Sequence, residues 1–176
     1  MNNHEQTLEA IERRHRAASP GPWKSWVEGR EFDGGSSVLE TGSEPPIELG
    51  TRPATQDFIA HAWGDIVRLV EEIRRLQHGA STSEAETLTD FYLSDVEVRC
   101  CEALPGPWEL HEVEGNDEFP FLIRTALPEG NRWRDMRPWG ATMGDAEFIV
   151  HTRSDISWLL AEIYRLRGPQ RGQPAS

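Results

Sequence analysis

The chain contains itself twice. Pro-Gly-Pro-Trp occupies residues 20–23 and recurs at 105–108. Residues 58–76 read FIAHAWGDIVRLVEEIRRL and residues 148–166 read FIVHTRSDISWLLAEIYRL, with ten of nineteen aligned positions identical. The offset is 85 residues at the tryptophan and 90 at the later segment, so the second copy carries about five extra residues in between. Self-similarity at a fixed spacing constrains architecture before any single residue does. It predicts two homologous α-β-β-(β)-α units, residues 1–77 and 84–167, with a polar linker at 78–83 and a flexible tail at 168–176.

Each copy punctuates its own elements. Leu8, Ile11, His15 and Ala18 recur at gaps of three and four, which is one face of a helix. Ser19-Pro20-Gly21-Pro22 stops that helix by removing donors and helical freedom. Trp23 opens an extended stretch, and β-prone runs follow near Val38–Thr41 and Ile47–Leu49. A closing helix over 56–77 carries Phe58, Ile59, Ala62, Ile66, Leu69, Val70, Ile73 and Leu76 as a long apolar stripe. Thr55 stands where its N-cap is expected.

In the second copy, Ser83 and Glu86 have capping-box spacing. The helix expected there turns Leu88, Phe91, Tyr92, Val96, Cys100 and Ala103 toward a core. Pro105-Gly106-Pro107 ends it. WELHEV and FLIRTA are the strand candidates, and GNRWRDMRPWGATMG is a loop or third strand. A last helix over 145–167 starts with Asp145, aligned with Thr55. The fold class expected is α+β: antiparallel strands packed with long helices in a pseudo-twofold arrangement. A lone unit of this size would bury too little surface to be stable by itself.

The net charge of −12 argues against general nucleic-acid binding. Such a surface keeps a protein soluble, and it also suits a basic protein partner. No stretch has signal-peptide character, and no run approaches the roughly 20 apolar residues that span a bilayer. Cys100 and Cys101, the only cysteines, are adjacent and expected as free thiols. These features place the chain in the cytoplasm, off the membrane.

A helix ending in A-x-P-G-P-W, then strands, then D-A-x-F-I-A-x-A-R-x-D-V-x-x-L-L-x-E-I-x-x-L, resembles short proteins of bacteriophages and actinobacterial genomes. These are related in pattern to the Ead-type phage early-region proteins. Here the pattern falls on 18–23 with 57–76, and on 103–108 with 145–166. It departs at Trp63, where the pattern has arginine, and keeps Arg153. The resemblance implies a phage or mobile-element accessory protein and brings no catalytic residues with it.

Several residue sets offer chemistry, each beside a structural reading. Trp23 and Trp108 either pin a strand to a helix or form a stacking platform. His61 with Asp65, and His151 with Asp155, share a face of a continuous helix, but two ligands are too few for a metal site. Alternatively, Gly64-Asp65 and Ser154-Asp155 mark a helix break followed by an N-cap. Arg14 and Arg99 align near the ends of their helices, where the dipole favours cations, or they grip an anion in a shared cleft. Arg132, Trp133, Arg134, Arg137 and Trp139 crowd one segment. Guanidinium groups clamp phosphate and indoles stack on bases, yet the same residues make protein interfaces, or a strand paired to local acids.

No nucleophile elbow, P-loop, His-Glu-x-x-His or Cys-x-x-Cys is present. Cys100 reads as a core residue. The expectation is a non-catalytic protein without cofactor or metal. It would sequester a small anionic ligand, such as a nucleotide signal, between its units or between two protomers of a homodimer. The alternative is an acidic inhibitor or immunity-type protein that covers a basic target. A metal- or histidine-dependent enzyme is a third, weaker reading.

Overall fold

The computed structural model describes residues 3–31, 33–78, 88–115, 120–126 and 133–168, with the side chains of 126, 133 and 134 left aside. The order is α1 (Asn3–Ala17), β1 (Lys24–Trp26), β2 (Val38–Glu40), α2 (Pro53–Gln77), α3 (Asp90–Glu102), β3 (Trp108–Glu112), β4 (Phe121–Ala126), β5 (Trp133–Met136) and α4 (Met143–Arg167). Among the described residues these are four helices with two small antiparallel sheets, β1-β2 and β3-β4-β5. Among the described residues, no helix is long and apolar enough to cross a membrane.

The apolar stripes of α2 and α4 are the centre of the molecule, and these two helices make the most extensive contact of any pair. Ile59, Ile66, Leu69 and Ile73 of α2 share one core cluster with Ile149, Ile156, Leu159 and Ile163 of α4. Around this pair the shorter helices cross over. α1 contacts α4 more extensively than α2, and α3 contacts α2 more extensively than α4. The tryptophans follow. Trp23 packs edge-on against Phe148 with ring centroids 5.0 Å apart, and Trp108 against Phe58 at 6.2 Å. Each indole N–H donates back to a carbonyl four residues earlier, Ser19 and Leu104.

The sheets meet at one seam. Glu48 and Trp139 exchange backbone hydrogen bonds, both 3.0 Å, and the Arg137 N–H donates to the Leu49 carbonyl. Ile47–Leu49, expected as a strand, makes only isolated bridges, to Leu39 and to Trp139. Gly140 follows the seam with φ +81°, and a Cβ there would approach the Pro46 carbonyl oxygen to 2.7 Å. Both the left-handed conformation and the close approach call for glycine.

Helix starts differ from expectation. α2 begins at Pro53 after an Arg52 N-cap, with proline in the first turn where its missing N–H costs nothing. Thr55 is therefore no cap. It is fully buried, and its hydroxyl accepts from the Leu104 N–H at 2.9 Å. α4 begins at Met143 under a Thr142 cap, and Asp145 is the third residue of that capping box. Asp145 also accepts from the Ser19 N–H (2.6 Å) and hydroxyl (3.0 Å). Thr55 and Asp145, aligned in sequence, thus both secure the residue stretch that follows a shorter helix of the other copy. α3 begins at Asp90 with Thr89 as N-cap; Ser83 and Glu86 lie outside the described residues. Of the linker 78–83 only His78 is described, and of the tail 168–176 only Gly168.

Two further expectations are corrected. α2 and α4 run unbroken through Gly64-Asp65 and Ser154-Asp155, so neither aspartate is an N-cap. The tertiary contacts of the long apolar stripe outweigh the weak helix propensity of glycine and serine. Phe91, expected in the core, is 84% exposed, and Leu93 takes its place. α3 is entered from Thr89, and that start sets which face turns inward.

Candidate functional site

The aspartates that do not cap have a different role. Arg14 holds Asp155 in a bidentate ion pair, Nε to Oδ2 at 3.0 Å and Nη2 to Oδ1 at 2.6 Å. Arg99 holds Asp65 at 2.8 Å and Asp95 on its own helix, while the Tyr92 hydroxyl donates to Asp65 at 2.6 Å. Both aspartates are buried. Burial pushes the Asp155 carboxyl above its ordinary value, and Arg14 opposes this without cancelling it. Partial desolvation of the ring, reinforced by the Arg14 charge, holds His151 below the usual histidine value although the residue is exposed overall. Arg14 and Arg99 therefore work first as ties across the copies, each from a shorter helix to the long helix of the other copy.

His61 and His151 are exposed. Among the described residues, no group of three or more His, Cys, Asp or Glu is placed to hold a metal ion. Burial raises the Cys100 thiol, which keeps it protonated and a poor nucleophile.

Three of the residues picked out in the sequence do come together. Trp23, His61 and Arg99 line a cleft of about 800 Å³, with Lys24, Trp26, Arg30 and Asp57 from the first copy and Glu102 from the second. The first turn of α2, at Pro53 and Ala54, forms part of its wall. Arg30 is fixed there by Asp57 at 2.7 and 2.8 Å and by Glu31. Gln56, fully buried, donates to Ser25 Oγ and to the carbonyls of Trp26 and Val38, so the floor of the cleft is stapled to α2. Arg99 Nε is buried and has no hydrogen-bond partner among the described residues. Trp26, Lys24 and Arg30 were not singled out in the sequence. WKSW carries the aromatic and basic residue types, but nothing local says that a distant arginine joins them.

A smaller cleft of about 350 Å³ lies at Trp108, Pro105–Pro107, His151 and Arg153. The Arg/Trp segment goes elsewhere. Among its members, Arg132 lies outside the described residues, and Trp133 and Arg134 are placed only as backbone in β5, paired with Ala126 and Thr125. Arg137 and Trp139 are exposed at the seam, with their backbones tied to Leu49 and Glu48. Neither lines the larger cleft. Compared with protein-family models, curated proteins and solved structures, the chain matches none.

Proposed function

We propose that the chain is a non-catalytic, phage-type accessory protein that captures a small anionic ligand, of the nucleotide class, in the cleft between its two copies. The observation that carries this reading is the joining of Trp23, Trp26, Lys24, Arg30 and His61 of one copy with Arg99 of the other around one space. Its volume falls in the range of small-molecule sites. Arg30 and Arg99 are preorganised by their carboxylates, so little side-chain freedom is lost when an anion arrives. Lys24 and His61 add exposed donors, and the start of α2 contributes the positive end of its dipole.

The scaffold behind the cleft is inferred to be pseudo-twofold, with each copy's first helix and tryptophan laid on the long helix of the other. Support comes from contacts that recur at aligned positions: Arg14–Asp155 with Arg99–Asp65, Trp23–Phe148 with Trp108–Phe58, and Ser19–Asp145 with Leu104–Thr55.

Thermal unfolding against mono-, di- and cyclic nucleotides tests the proposal. A ligand at one hundred times its dissociation constant adds about 2.7 kcal/mol of stability. A selective rise in Tm is expected, lost in Lys24→Ala and His61→Ala and kept in Arg137→Ala. No shift with any nucleotide overturns the ligand class. A shift lost only in Arg137→Ala overturns the cleft as its site.

A further inference from the structure

The two copies supply an internal comparison. α1 and α3 align with the offset of 85 residues seen at the tryptophans, and they bury matching faces: Leu8 with Leu93, Ile11 with Val96, Ala18 with Ala103. Their outward faces do not match. α1 presents Gln6, Glu9, Arg13 and Arg16, whereas α3 presents Phe91, Ser94, Val98 and Cys101 at the same places. Phe91 is 84% and Val98 50% exposed. The spacing of three, four and three residues makes a stripe of the kind that seats a partner helix.

The charge around the stripe differs as well. α1 carries Glu5, Glu9 and Glu12 against Arg13, Arg14 and Arg16, while α3 carries Asp90, Asp95, Glu97 and Glu102 against Arg99 alone. Arg99 pairs with Asp95 and with buried Asp65, and Arg167 pairs with Asp90 and with buried Glu72, which also holds Arg75. The Asp90 and Asp95 side chains stay more than half exposed while Arg99 and Arg167 are largely covered, so the face turns carboxylates rather than guanidiniums to solvent.

We infer that the outer face of α3 docks an amphipathic helix of a partner protein, with an apolar stripe seated on Phe91 and Val98 and flanking lysines or arginines facing Asp90 and Asp95. A second copy of this chain is disfavoured, because its own α3 would bring the same acids against these. An anionic bilayer is repelled for the same reason. Phe91, Val98, Asp90 and Asp95 do not line the cleft, so neither proposal depends on the other.

The test uses the full chain and a fluorescent two-turn-or-longer helix of leucine and lysine, followed by anisotropy. Binding is expected to weaken steeply with added salt. Phe91→Ser with Val98→Ser is expected to reduce affinity by about tenfold or more, as loss of a central apolar anchor does. Both side chains are exposed, so the variant should keep the parent's Tm and circular dichroism. Gln6→Ser with Arg13→Ser, on the matching face of α1, is expected to change nothing. Equal binding by the Phe91/Val98 variant overturns the surface, and equal binding of a leucine–serine peptide overturns the charge argument. A parent chain that sediments as a dimer, and a variant that does not, would show that a second copy covers the face.

Discussion

At the scale of single residues, the cross-copy ion pairs have unequal support. Asp155 has Arg14 as its bidentate partner, while Asp65 has Arg99 and the Tyr92 hydroxyl. Removing one member of a buried pair leaves an uncompensated charge, at a cost of about 3–5 kcal/mol. Arg14→Ala is therefore expected to destabilise the chain by about 3 kcal/mol. Arg99→Ala should cost less, because Tyr92 still donates to Asp65. Urea unfolding measures both, and replacing Arg14 and Asp155 together by apolar residues should recover most of the first loss. Equal losses for the two single variants would show that the tyrosine contributes nothing. Such ties were only half visible beforehand. The alignment of Arg14 with Arg99 and of Asp65 with Asp155 is plain in the sequence, but an ion pair between residues so far apart leaves no local periodicity.

Whole elements were easier to read than their ends. The apolar stripes of α2 and α4 announce long helices, and Pro-Gly-Pro-Trp marks the turn into β1 and β3. FLIRTA forms β4 over its whole length, and WELHEV forms β3 as far as Glu112, one residue short of the expected strand. Helix starts were misread because Thr and Asp near an N-terminus serve equally as caps and as acceptors for a neighbouring segment. Position 64 was misread for a related reason: glycine weakens a helix locally, and packing restores it. Gly64 lies within α2, and a Cβ there meets none of the described residues within 4 Å. Gly64→Ala is thus expected to stabilise the chain by about 0.5–1 kcal/mol, the usual advantage of alanine over glycine in a helix. Gly144 is the contrast. A Cβ there collides with the Ala17 carbonyl oxygen, where α4 begins against the end of α1, so Gly144→Ala should lower Tm. A rise in Tm for Gly144→Ala would show that the two helix ends stand further apart.

For the whole molecule, one apolar cluster draws on every helix, with α2 and α4 at its middle. Domains with separate cores unfold separately, and a shared core unfolds as one. Calorimetry should show a single transition. Ile66→Ala, in the first copy, should lower it by removing about 2–5 kcal/mol without splitting it. Two resolved transitions, with only one moved by the substitution, would mean that the copies are independent. The cleft at Trp23 depends on the same sharing, since Arg99 reaches it from the other copy.

The interlocked rings of Trp23 with Phe148 and Trp108 with Phe58 have a consequence for how such a chain changes through its history. After a duplication, each copy would ordinarily be free to drift while the other preserved the ancestral shape. Here neither copy has that licence, because a mutation in one is tested against the other. The interior halves are expected to co-vary as partners, and divergence is left to surfaces that touch neither. The outward face of α3 is such a surface, and it is there that the two copies differ in kind.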